Sequence, residues 1–238
     1  MATTSEPDRR AEIAANLEHT RARIAAACQD AGRDPGEITL VVVTKTFPAE
    51  DVRLLVELGV ADVGENRDQE AAPKARACAD LDLQWHFVGQ LQRNKARSVA
   101  TYAHVVHSVD RRRLVSALDE AVARSGRGSP LSALVQVNLD SVPGRGGAEP
   151  SDVTAVADQV AASEHLLLAG VMAVAPLDAD PTQAFVELAR IASHVRANHP
   201  DATVISAGMS ADLEAAVAAG ATHLRVGSGV LGRRPSNG

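Results

Sequence analysis

The run Thr39-Leu-Val-Val-Val-Thr-Lys45 constrains this chain more than any other stretch. Leucine and β-branched residues follow one another almost without a break, which marks a strand buried on both faces, as in a parallel sheet. Phe47-Pro48 ends the strand, and Ala49 to Leu58 carries the apolar spacing of a helix. Lys45 thus falls at the carboxyl end of a buried strand, where α/β folds place their ligands. A lysine there either snorkels to the rim or holds something.

The same alternation recurs along the chain. Met1 to Pro7 reads as a disordered lead, and Asp8 to Ala31 as an amphipathic helix closed by Gly32. Further strands are expected at Val60–Val63, Trp85–Val88, His104–Val109, Ser132–Asn138, Leu166–Val174, Ala202–Ser206 and Thr222–Val226. Helical patterns lie between them, one split or kinked at Pro73 and one capped by Asp110. Eight βα units in 238 residues predict a single α/β domain, a (β/α)8 TIM barrel over residues 8–238 with an extra N-terminal helix.

A net charge of −6 argues against a nucleic-acid binder that works by neutralising phosphates. Cys28 and Cys78 lie far apart without metal-ligand spacing and read as reduced structural thiols of a cytoplasmic protein. No stretch predicts a metal site, a secretory signal or a membrane span.

Two glycine-serine loops bear on function. Gly208-Met209-Ser210 follows the seventh strand, and Gly227-Ser228-Gly229 the eighth. Barrels often bind phosphate at those two loops, with backbone N–H groups and hydroxyls as donors. An ordinary helix cap at Ser210 and a tight turn at Gly227 satisfy the same residues. Arg225 sits within the eighth strand; inward it needs an acceptor, and outward it would pair with a helix carboxylate. Glu65 reads as a partner for the Lys45 ammonium, and Asn66 as either a helix cap or a ligand contact. His86 and His107 read as satisfied core histidines, and Arg111-Arg112-Arg113 as a solvated helix start. A lysine facing a phosphate cradle suits a phosphorylated aldehyde held as a Schiff base. Pyridoxal 5′-phosphate has that form, and the substrates of phosphosugar aldolases share it.

Segments spanning nearly the whole barrel in order resemble the pyridoxal phosphate homeostasis proteins, a family with the fold type III barrel of the alanine racemase N-terminal domain. They are Val41-Val-Val-Thr-Lys-Thr46, Gly64-Glu-Asn-Arg67, Trp85-His-Phe-Val-Gly89 with Leu91-Gln-Arg-Asn-Lys95, Gly170-Val-Met172, and Gly208-Met-Ser-Ala-Asp-Leu-Glu214 through Arg225-Val-Gly227. The resemblance implies pyridoxal phosphate on Lys45 as a Schiff base and Arg225 at the pyridine nitrogen. It implies Ser210, Gly227 and Ser228 at the phosphate, with Asn66 and Met209 beside ring or phosphate. Gln90 and Arg145 depart from residues frequent in relatives and receive no role.

Two functions follow from that resemblance: a carrier that regulates free pyridoxal phosphate, or a racemase-like enzyme. Racemisation needs a second acid–base group opposite the lysine, and the related racemases supply a tyrosine from a second domain. The one tyrosine here, Tyr102, precedes the fourth strand and is expected at the opposite end of the barrel. The expectation is therefore a monomeric carrier without efficient catalysis, in transient contact with pyridoxal phosphate-dependent apo-enzymes.

Overall fold

Runs of β-branched residues favour pleated, buried surfaces, and eight of them form parallel strands that close into a barrel. The computed structural model describes residues 6–140, 146–177 and 179–232. The first half comprises α1 (Glu6–Asp30), β1 (Thr39–Val43), α2 (Ala49–Glu57), β2 (Asp62–Glu65), α3 (Asp68–Ala77), β3 (Gln84–Phe87), α4 (Ala96–Val99) and β4 (Val105–Val109). The second comprises α5 (Arg112–Ser125), β5 (Leu131–Gln136), α6 (Val153–Ala161), β6 (Leu166–Met172), α7 (Pro181–Asn198), β7 (Val204–Ser206), α8 (Leu213–Ala218), β8 (His223–Val226) and α9 (Ser228–Leu231). Each strand pairs with the next, and β8 closes on β1 with Thr39 opposite His223 and Val41 opposite Arg225. The expected TIM barrel is the observed fold.

Helices cover the barrel with apolar stripes at helical spacing. In α5, Leu114, Val115, Leu118, Ala121 and Val122 are buried, and Gly126 ends the helix in the left-handed conformation. The extra helix α1 buries Ile13, Leu17, Ile24 and Cys28 and packs against α8 and α9. Its polar side chains hold α9 from behind. Thr20 Oγ1 donates to the Gly229 carbonyl at 3.2 Å, Asn16 Nδ2 to Val230 at 3.1 Å, and Arg9 Nη2 to Leu231 at 3.0 Å. These are the carbonyls that a four-residue helix leaves unsatisfied.

Three local expectations change. Helix α1 begins at Glu6, two residues ahead of Asp8, with Pro7 in the first turn where proline costs nothing; residues 1–5 lie outside those described. Helix α3 runs through Pro73 without splitting, because Ala71, Lys74 and Ala75 on either side are anchored in the core. The residue capping α5 is Arg111, not Asp110, whose carboxylate is taken up by the Arg111 guanidinium. Arg111 also donates to the Leu91 carbonyl, so only Arg112 and Arg113 are a solvated start. Among the described residues no helix is long and apolar enough to cross a membrane.

Candidate functional site

Side chains alternate along a strand, so consecutive residues at the end of β1 face opposite ways. Thr44 points outward toward α3, and Lys45 lines a cavity of about 330 Å³ at the carboxyl end of the barrel. That volume lies at the lower end of the range for small-molecule sites. Thr46 follows with φ of 70°, a left-handed conformation that a β-branched residue adopts only under constraint. The constraint is Glu70, whose Oε2 accepts the Thr46 N–H at 3.1 Å.

Asn66 follows β2 and lines the same cavity. Helix α3 is capped by Arg67, which leaves the Asn66 side chain to the cavity rather than to the helix end. The loop after β3 lies against the Asn66 backbone so closely that a Cβ at Gly89 would sit 2.0 Å from its carbonyl oxygen. Only glycine permits that approach. Gln90, next in the chain, lines an adjoining cavity that shares Asn66.

The seventh and eighth loops meet at one hydrogen bond. Ser210 Oγ accepts the Gly229 N–H at 3.2 Å, and α8 is capped by Asp212, so Ser210 joins two loops rather than capping a helix. Behind it, Arg23 donates to the Ser210 carbonyl at 3.0 Å and pairs with Glu214 at 2.8 Å. Met209, Ser210, Gly227 and Ser228 line the cavity opposite Lys45.

Arg225 points inward and is buried. Its Nη1 donates to Ser206 Oγ at 2.6 Å and its Nη2 to the Ala173 carbonyl at 2.8 Å. A guanidinium has five N–H donors, so this pair of bonds fixes its plane and leaves others for the cavity. Burial lowers its pKa to about 10, which keeps it cationic at neutral pH. Among the described residues lining the cavity, the charged side chains are Lys45 and Arg225, both basic. The chain is acidic overall, yet the charged side chains of this pocket are basic.

Glu65 takes a different lysine from the one expected. Its Oε1 accepts from Lys74 Nζ at 2.5 Å and Thr44 Oγ1 at 2.6 Å, on the helix side of the sheet. Lys74 also donates to the Thr44 carbonyl at 2.8 Å, so the pair braces the backbone just before Lys45. Burial raises the Glu65 carboxyl above the ordinary range despite the pull of Lys74. Tyr102 is rooted before β4, but its hydroxyl does not stay at the opposite end as expected: it donates at 3.4 Å to Asp68, which lines the cavity adjoining Asn66, and Tyr102 does not line the Lys45 cavity. Arg145 lies outside the described residues. No group of His, Cys, Asp and Glu among the described residues could hold a metal ion.

All seven residues expected at the site, Lys45, Asn66, Met209, Ser210, Arg225, Gly227 and Ser228, line one cavity. Phe47, Val88 and Val174 complete it as apolar walls, which no sequence signal separated from ordinary core.

Comparison with known proteins bears on the family and the fold. Residues 13–235 match the family model described as alanine racemase, N-terminal domain. The pyridoxal phosphate homeostasis protein of Mycobacterium tuberculosis is 47% identical over 245 residues, covering 96% of this chain and 95% of that protein. The structure of PipY from Synechococcus elongatus with pyridoxal phosphate bound superposes with a TM-score of 0.80 at 32% identity, covering 92% of this chain and all of that one (100%). An alanine racemase of Clostridium difficile shares the fold alone, with a TM-score of 0.74 at 15% identity. That match covers 95% of this chain and 58% of the racemase.

Proposed function

The chain belongs to the pyridoxal phosphate homeostasis protein family, and we propose that it holds pyridoxal 5′-phosphate on Lys45 and buffers its free level in the cell. The observation that carries this reading is the pairing, in one cavity, of Lys45 and a buried Arg225 with the Ser210–Gly229 junction. When bound, the cofactor would supply an aldehyde carbon for the Lys45 amine to hold covalently.

The remaining work belongs to the protein. Arg225, a donor with no acceptor, suits an unprotonated pyridine nitrogen and keeps that nitrogen from taking a proton. Ser210 and Ser228 present hydroxyls to the phosphate, and Gly227 lets the backbone come close. Asn66 and Met209 would lie beside ring or phosphate, and Phe47, Val88 and Val174, apolar residues of the same lining, would give the ring apolar contact.

The reading is of a carrier rather than a catalyst. Among the described cavity residues, Lys45 and Arg225 are the titratable groups, and both are assigned to holding the ligand. Proton transfer on the far face of a bound amino acid needs a second acid–base group, worth about a hundred- to ten-thousand-fold in rate. The racemase whose fold is shared extends well beyond the matched region. The carrier acts as a cytoplasmic monomer that meets apo-enzymes transiently.

Titration with pyridoxal 5′-phosphate and with pyridoxal, followed by visible absorbance, tests the site. The phosphate ester should bind at least tenfold more tightly; equal affinities would remove Ser210, Gly227 and Ser228 from it. Incubation of the loaded protein with L-alanine or L-serine in deuterium oxide should give at most very slow Cα exchange. Turnover on the order of ten per second, a typical enzyme value, would favour the racemase-like alternative.

A further inference from the structure

A line of hydrogen bonds crosses the barrel interior beneath the cavity. Arg225 Nη1 donates to Ser206 Oγ at 2.6 Å, and Ser206 Oγ lies 3.0 Å from His107 Nδ1. His107 Nε2 lies 2.8 Å from His86 Nδ1, and His86 Nε2 lies 2.9 Å from Asp62 Oδ1. Five residues on β8, β7, β4, β3 and β2 are thereby joined. Ser206 and His107 are wholly buried and His86 nearly so, whereas Asp62 opens onto a cleft at the amino-terminal face.

The chemistry of the two ends gives the line a direction. Arginine only donates and a carboxylate only accepts. With neutral histidines, the Ser206 hydroxyl donates a hydrogen bond to the bare His107 Nδ1. His107 then carries its proton on Nε2 and donates to His86 Nδ1, and His86 donates from Nε2 to Asp62. The opposite arrangement would set the bare Nε2 of His86 against the Asp62 carboxylate. A second proton on His86 changes the line in one way. Both His86 nitrogens become donors, so His107 must accept at Nε2 and carry its own proton on Nδ1. Ser206 then accepts from His107 as well as from Arg225. One proton has been added, at His86, and the hydroxyl that accepts from Arg225 has turned from donor to acceptor toward His107.

We propose that His86 and His107 are positioning residues that transmit the protonation state of the barrel's amino-terminal face to Arg225, and so to whatever the cavity holds. The groups facing them favour His86 as the entry point. His86 has the Asp62 carboxylate from β2, with His104 near it on its β4 side. His107 faces only neutral or cationic neighbours: His86, Ser206, His223 and Arg225. Burial holds His107 well below the ordinary histidine range. The His223 ring, 6.2 Å from His86 and 6.5 Å from His107, is tied to Thr222 and stays outside the line.

Nitrogen-15 NMR of the histidine rings in ligand-free protein tests this without reference to the ligand. At pH 7.5, an arbitrary starting point about one unit above the unperturbed histidine pKa, His107 should carry its proton on Nε2. On acidification, its proton should move to Nδ1 in the same step in which His86 gains a charge, with His107 itself staying neutral. Asp62→Ala, at the solvent end, removes the acceptor that holds the His86 proton on Nε2, so the His107 proton should no longer be fixed on Nε2 at the starting pH. On the reading that the cavity binds pyridoxal phosphate, the visible absorbance of loaded protein should step at that same pH. A His107 signal that stays fixed while His86 titrates would overturn the proposal. So would a His107 proton on Nδ1 at the start, or acid unfolding before any His86 transition. The NMR result stands whether or not pyridoxal phosphate binds, so failure of the ligand reading alone would show only in the absorbance.

Discussion

Lys74 of α3 places its ammonium 2.5 Å from Glu65 Oε1 at the end of β2, and the two side chains are 7% and 0% exposed. Removing one member of a buried ion pair leaves an uncompensated charge, at a cost of about 3–5 kcal/mol. Lys74→Met should therefore lower unfolding stability by that order in urea titration. The double variant Glu65→Leu, Lys74→Met should recover most of the loss, since an apolar replacement of the whole pair is often neutral. Equal destabilisation by single and double variants would show that Lys74 matters for packing alone.

Acid should destabilise the fold as its buried histidines take up protons. Burial lowers the His223 pKa to about 4 and holds His107 further down, so the native state binds fewer protons than the unfolded chain below pH 6.5, the unperturbed value. Stability is then full above the unfolded pKa and falls as pH drops toward the folded values. His223 alone accounts for up to about 3 kcal/mol of that loss. Urea midpoints between pH 7 and pH 4.5, an arbitrary window spanning roughly the unperturbed histidine pKa, should fall steadily. A flat profile would mean these histidines are solvated.

Gly229 bears directly on the loops after β7 and β8. A Cβ there would meet Val226 Cγ1 at 2.8 Å and Ser210 Oγ at 3.2 Å. Gly229→Ala should cost about 1–3 kcal/mol of stability through overpacking. By displacing the Ser210 hydroxyl it should also erase most of the preference for pyridoxal phosphate over pyridoxal, measured by absorbance titration. Retention of the full preference would detach Ser210 from phosphate recognition.

Much of this was open to reading in the sequence, for reasons that differ by residue. The strand ending at Lys45 announces itself because a parallel strand is apolar on both faces, so a terminal charge stands out. The loops at Ser210 and Ser228 stand out because glycine and serine cluster where barrels leave their ligand face. Lys74 gave no such signal: a lysine within a helix looks like surface, and its burial depends on where α3 meets β2. The relay was equally hidden. His86 and His107 read as ordinary core histidines, and the closed register of five strands is what aligns them with Asp62 and Arg225. The carbonyl clamp of α1 on α9 spans most of the chain, beyond any local pattern.

On the proposed function, Lys45 carries the cofactor. Purified protein loaded with pyridoxal phosphate should be reduced with borohydride, digested and sequenced by mass spectrometry, alongside Lys45→Ala. The account predicts one phosphopyridoxyl group on Lys45, with the visible band and the label both lost in the variant. Full labelling of Lys45→Ala, or label on another lysine of the wild-type protein, would contradict it.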